Sequence, residues 1–191
     1  MISKNENGTL FEINNGALIH YYEETISSVV RVLGGTLLRK KKLGNNTTVI
    51  VPYGIKSIAN KVFIDFYNLI NIQLPDSLMS IGDEAFYGCS NLTNIQFPDS
   101  LILIGDRAFC GCESLTSIRL PASLTSIGVA VFADCNNLTS IQLPNSLTSI
   151  GSDAFKYCDN LTIYGYANSY AEKYARKEEI PFFVIDEGRY L

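Results

Sequence analysis

Histidine is almost missing from this chain, with His20 the only one in 191 residues. The usual metal centres combine several histidine, cysteine or carboxylate ligands, so a lone histidine does not point to one. His20 lies in a segment that reads as a strand and has no counterpart elsewhere, which suits a structural or solvent-facing role. Long apolar runs are also lacking. No stretch of about 18 uncharged apolar residues occurs, so no transmembrane helix is expected. The opening, Met1 to Gly8, is polar and lacks the apolar core of a signal peptide. Positive charge is in deficit, at 15 Lys and Arg against 19 Asp and Glu for a net charge of −4. That disfavours a nucleic-acid or anionic-membrane binder, both of which need a basic field. The one basic run, Arg39-Lys40-Lys41-Lys42, sits beside Gly44-Asn45-Asn46 and reads as a solvated loop. There is no phosphate loop, dinucleotide fingerprint, paired metal motif or nucleophile elbow. Disulfides are not expected either: five cysteines is an odd number, in a chain large enough to build a core without staples.

What is present is a repeat with a period of 23 residues. Ile58, Ile81, Ile104, Ile127 and Ile150 keep this step, as do Phe63, Phe86, Phe109, Phe132 and Phe155. Leu69, Leu92, Leu115, Leu138 and Leu161 form a third column, and Pro52, Pro75, Pro98, Pro121 and Pro144 a fourth. Within one unit, Leu92, Ile95 and Phe97 point one way while Asn94 and Gln96 alternate outward, a short strand with one buried face. Pro98 has no N–H to give and ends that strand. Leu101 and Ile104 supply a second buried edge. Gly82 reads as a turn residue with positive φ. Ala85, Phe86 and Cys89 are spaced for a single helical turn plugging the core. A lone unit cannot bury its apolar edges, so the units must stack, with parallel strands about 4.8 Å apart and some 25 Å of axis for five units.

The polar columns need internal partners, because an orphaned buried amide costs roughly 1–3 kcal/mol. Asn68, Asn91, Asn137 and Asn160, with Ser114 in the third unit, and Ser77, Ser100, Ser123 and Ser146 read as side chains bonding neighbouring backbone. Asn-x-Thr triplets at Asn91, Asn137 and Asn160 arise from the repeat and are expected to be buried, not glycosylated. The column Cys89, Cys112, Cys135 and Cys158 admits two readings, a metal or redox ladder or a buried core position. Cysteine packs as a small soft hydrophobe, and parallel Cβ vectors suit a disulfide poorly, which favours buried free thiols. Cys110 is off the column and is expected to be exposed.

Units of the form Ile-Gly-x-x-Ala-Phe-x-x-Cys-x-x-Leu-x-x-Ile-x-Leu-Pro-x-Ser-Leu resemble the Treponema-type leucine-rich repeats of BspA-like bacterial surface proteins. The resemblance covers roughly residues 49–185. It implies an α/β class chain in the form of a leucine-rich-repeat solenoid, β-rich with short helical turns. Residues 1–48 are then an N-terminal cap, 49–165 five repeats and 166–191 a C-terminal cap, in one domain. The first unit departs from the pattern at Ala59, Val62 and Phe66, as terminal repeats do. Before it, two hairpins are read, at residues 11–19 and 29–39. In the C-terminal cap, Ser169 and Glu172 have capping-box spacing and open a helix, and residues 182–185 read as a last strand.

The remaining candidate is surface. Strand alternation turns two columns outward: Asn71, Asn94, Ser117 and Ser140, and Gln73, Gln96, Arg119 and Gln142. Such a face is a binding surface in repeat proteins; the alternative is a solvated face whose glutamines ladder with one another. The opposite edge carries Met79, Ile102, Leu103 and Thr125, a packing surface for the N-terminal cap or for a partner. The expectation is a non-enzymatic protein-binding scaffold with no cofactor, no metal, no nucleic acid and no membrane insertion. The resemblance implies adhesion or host contact at the cell surface, while the polar opening leaves an intracellular interaction scaffold as the alternative.

Overall fold

The computed structural model describes residues 48–51 and 53–185 in full. Through residue 47 it describes the backbone of strands at Ile2–Lys4, Leu10–Asn14, Ala17–Glu23, Ser28–Leu33, Thr36–Leu38 and the start of Thr47–Ile50. The basic run at 39–42, the turns at 15–16 and 34–35, Pro52 and the His20 side chain lie outside the described residues.

The 23-residue units wind into a solenoid whose coils have three sides. On the first side lie Thr47–Ile50, Leu69–Gln73, Asn94–Ile95, Ser117–Arg119, Ser140–Gln142 and Thr162–Gly165. They pair parallel in two groups, Ile72 with Ile95 in the first and Ile118 with Ile141 and then Ile163 in the second. One strand per unit was expected, but a second side is also strand. There Ser57–Ile58, Ser80–Ile81, Leu103–Ile104, Ser126–Ile127 and Ser149–Ile150 stack in parallel. Each isoleucine of that column must point inward beside its neighbour, which aligns its backbone for pairing as well.

The third side differs from the expected helical turn. Tyr87 and Cys89 donate their N–H groups locally, to Glu84 O at 3.2 Å and Phe86 O at 3.1 Å. Glu84, Phe86 and Gly88 donate instead to Asp106 O, Ala108 O and Cys110 O of the next coil, each at 2.8 Å. A helix would keep all of these bonds within one coil. The alternation is made possible by left-handed backbone at Glu84 (φ 53°) and Gly88 (φ 69°), repeated at Lys61, Arg107, Ala130 and Asp153. Positive φ therefore falls at Glu84 rather than Gly82. Gly82 is required for closeness: a Cβ there would lie 2.7 Å from Asn60 N and 2.9 Å from Ala59 C.

Inside, Phe63, Phe86, Phe109, Phe132 and Phe155 form one stack with ring centroids 5.0, 5.0, 5.4 and 5.8 Å apart. The first four are fully buried. Cys89, Cys112, Cys135 and Cys158 are free and buried beside it. Their thiols donate to the carbonyls of Phe63, Phe86, Phe109 and Phe132 at 3.1–3.3 Å. Each cysteine thus ties its coil to the one before. The serine column does the same from another corner: Ser77, Ser100, Ser123 and Ser146 donate to Ile55 O, Leu78 O, Leu101 O and Leu124 O at 2.6–2.8 Å.

Further strands flank the coils on one side and a helix and a strand on the other. The two expected hairpins form, Leu10–Asn14 with Ala17–Glu23 and Ser28–Leu33 with Thr36–Leu38. Ile2–Lys4 adds a strand that the polar opening did not suggest. The strand Ala17–Glu23 joins the second side of the solenoid edge to edge, Ala17 with Ser57 and Leu18 with Ile58. At the other end, Ser169 caps the helix Tyr170–Lys177 by accepting from Glu172 N–H at 3.1 Å. The helix lays Tyr174 edge-on against Phe155 at 5.9 Å, which terminates the phenylalanine stack. Phe182–Val184 then pairs with Thr162–Gly165.

Candidate functional site

The outward columns stand where the strand alternation places them. Asn71, Gln73, Asn94, Gln96, Ser117 and Arg119 are exposed, and Ser140 and Gln142 half-buried. The register sets Asn71 beside Asn94, Ser117 beside Ser140 and Arg119 beside Gln142. Both columns continue into the strand Thr162–Gly165, where Ser140 neighbours Thr162 and Gln142 neighbours Tyr164. Tyr164 stacks on Phe183, which is 59% exposed, at 5.8 Å between centroids. The polar face therefore ends on an aromatic pair.

The eight residues are not one continuous array. The first side of the solenoid is split into two sheets, and the split falls between Asn94–Ile95 and Ser117–Arg119. Elsewhere Thr93, Thr139 and Thr162 donate to Ile70 O, Thr116 O and Thr139 O at 2.9–3.0 Å. Among the described residues no such bond joins Thr116 to Thr93. Leu120 and Leu143 donate to Gln142 O and Tyr164 O, whereas Phe97, like Leu74, makes no equivalent bond to the next coil. Two departures from the repeat flank this seam. Phe97 stands in the column of Leu74, Leu120 and Leu143 and sets its ring edge-on to Phe109 at 5.6 Å. Ser114 stands in the asparagine column. Asn91 and Asn137 reach back to Tyr67 O and Glu113 O at 2.6 and 2.8 Å, whereas Ser114 bonds Ser90 O only through its backbone N–H.

The seam opens into a hollow of about 530 Å³. Asn94, Gln96, Ser117, Arg119 and Gln142 from the outward columns line it, together with Phe97, Asp99 and Tyr166. Asp99 follows Pro98 after its strand, and Tyr166 follows the strand Thr162–Gly165. Neither belongs to the alternating pattern, which is why strand periodicity does not reveal them. Their signal lies in the departures at Phe97 and Ser114. Arg119 makes no ion pair with any described residue. Asn71 and Gln73 lie outside the lining of this hollow.

The repeat and its coil geometry match a known family. Residues 41–172 fit the family model of the BspA-type leucine-rich repeat region in six copies. The chain belongs to that family. Among solved structures, this BspA-type chain is similar to the leucine-rich repeat protein of T. pallidum, at 30% identity and TM-score 0.64, over 86% of this chain and 67% of that one. It is similar to a leucine-rich repeat protein from Bacteroides ovatus, at 30% identity and TM-score 0.62, over 85% of this chain but 39% of that one. The pneumococcal vaccine antigen PcpA shares the fold at 20% identity and TM-score 0.66, over 97% of this chain and 48% of that one. No curated protein matches the chain. This BspA-type chain is a leucine-rich-repeat solenoid.

Two expectations need correction. Asn91, Asn137 and Asn160 are exposed, not buried; they sit at an outer corner where Nδ2 of Asn91 and Asn137 reaches a carbonyl of the preceding coil. Cys110 is buried, at 7% exposure, because the left-handed turns fold its side chain under the neighbouring coil, where Sγ lies 3.7 Å from Asp134 Oδ2. Burial and that carboxylate push its thiol up to about 11. Among the described residues no group of three or more His, Cys, Asp or Glu is placed to hold a metal ion, and no helix is long and apolar enough to cross a membrane.

Proposed function

We propose that this chain is a non-enzymatic protein-binding module acting in adhesion or host contact at a bacterial surface. Its partner seats on the outward face carrying Asn71, Gln73, Asn94, Gln96, Ser117, Arg119, Ser140 and Gln142. We take residues 1–191 as a single domain serving that face. The observation that carries the reading is the unpaired Arg119 at the open seam. A guanidinium has five donors in a fixed fork, arginine is enriched among interface hot spots, and here no described side chain occupies it. The family membership supports the surface role, because the resemblance of the repeats is to exported surface proteins.

The test is capture of proteins from host-cell extracts on three immobilised chains: the parent, a version with Gln96→Glu and Gln142→Glu, and Thr148→Glu on the second side. A protein retained by the parent and by Thr148→Glu, and lost from the doubly charged face, supports the reading. Equal retention by all three contradicts it.

A further inference from the structure

We infer that the hollow at the seam is a carbohydrate site that takes a neutral sugar unit. The inference rests on the outward face being a recognition surface, and adds the chemical class that its centre accepts. Four observations lead to it. The lining combines planar amides from Asn94, Gln96 and Gln142 with the Arg119 fork and the Asp99 carboxylate, so donors and acceptors border one space. Adjacent sugar hydroxyls each offer one donor and two acceptor sites, and match such planar groups two at a time. Arg119 and Asp99 bring opposite charges to the same space, so the site carries no net charge. An anionic ligand would meet Asp99 and a cation would meet Arg119, while a neutral polyol satisfies both.

The third observation is the Tyr166 ring in the same lining, beside Phe97, whose own ring packs edge-on against Phe109. Sugars present a flat C–H face that packs on an aromatic ring, and this leaves their hydroxyl edges free for the amides. The fourth is the broken ladder. Thr116 N–H lacks the inter-coil bond that Thr93, Thr139 and Thr162 make, which leaves a backbone group at the seam to be satisfied by a ligand or solvent. At about 530 Å³ the hollow is within the size range of small-ligand sites. The apolar spots at Met79, Ile102 and Leu103 on the second side lack this mixture of polar groups and rings, and nothing among the described residues shows what covers them.

The experiment is titration of the isotope-labelled chain with a panel of neutral oligosaccharides: cellotriose, maltotriose, lactose, mannotriose and chitotriose. At least one should shift the amide signals of Gln96, Ser117, Arg119 and Gln142 below about 10 mM, an affinity reachable for a small polar ligand. Tyr166→Ala and, separately, Gln96→Ala should weaken that sugar about tenfold or more, while Thr148→Glu leaves it unchanged. Gln96 is exposed, so its variant stays informative if Tyr166→Ala misfolds. No shift from any member at about 10 mM, or shifts that both variants leave intact, overturns the carbohydrate site. The two readings fail separately. A protein captured through the Gln96 and Gln142 face with no sugar response leaves the protein-binding role standing and removes only this one.

Discussion

Replacing Phe109 with alanine should show how much of the solenoid's stability resides in its ring stack. Phe109 is fully buried, with Phe86 at 5.0 Å on one face and Phe132 at 5.4 Å on the other. The edge of Phe97 meets it at 5.6 Å. Transfer of such a side chain out of water is worth roughly 1.5–3 kcal/mol, and each ring pair adds roughly 0.5–1.5 kcal/mol. Little of the void can close. The backbone around it is held to the neighbouring coils by Phe86 N–H to Ala108 O and Phe109 N–H to Val131 O, at 2.8 and 2.9 Å. The loss should therefore lie in the upper part of the usual range of about 3–5 kcal/mol for a buried aromatic. Urea unfolding followed by circular dichroism measures it, with Tyr87→Ala as the control, since Tyr87 is exposed and should cost about 0.5 kcal/mol or less. A Phe109→Ala loss under about 1 kcal/mol would mean that the column does not carry the core.

Gly105→Ala should destabilise the chain by about 1–3 kcal/mol or prevent folding, because its Cβ would lie 2.8 Å from Asp83 N and 2.9 Å from Gly82 C; a melting temperature equal to the parent's would refute the close approach of coils. The buried thiols give a pH dependence. Burial raises Cys89 well above the ordinary value and Cys158 to about 11, as burial and Asp134 raise Cys110 to about 11. A raised folded value means that the folded state holds the proton longer than the unfolded chain. Their contribution is full below an ordinary thiol value near 9.0 and is lost as pH climbs towards 11. The melting temperature should fall over that interval, less steeply when Cys110→Ala and Cys158→Ala are combined; identical slopes would contradict the assignment. At neutral pH a thiol reagent should label the native chain slowly and the urea-unfolded chain at all five cysteines.

Much of this fold is legible in the residues because stacking imposes the same demand on every coil. Ile104 and Phe86 recur at one step because each meets its own counterpart above and below, Cys89 and Ser100 because each bonds a carbonyl of the coil before, and the helix cap is written in Ser169 and Glu172. The third side is not legible. The spacing of Ala85, Phe86 and Cys89 suits a helical turn and a series of left-handed turns equally. The left-handed column itself, Lys61, Glu84, Arg107, Ala130 and Asp153, has no shared side-chain chemistry to mark it. Gly82 is visible as special, but composition does not separate a need for positive φ from a need for closeness. At the candidate site the alternation identifies the outward columns. It is blind to the seam, because Ile95 and Ile118 keep perfect step across a ladder that has parted. Only Phe97 and Ser114 betray it, and Asp99 and Tyr166 enter from outside the strand.

The central claim, that the outward face around Arg119 is where a partner binds, is tested most directly by one affinity comparison. A captured partner is titrated against the parent, Arg119→Glu and Thr148→Glu. Arg119 is exposed and pairs in the ladder only through its backbone, so its reversal should leave the fold and melting temperature intact. It should weaken binding by at least about tenfold, or roughly 1.4 kcal/mol, while Thr148→Glu binds as the parent does. Parental affinity in both variants would mean that the face is solvated surface and that the partner seats elsewhere.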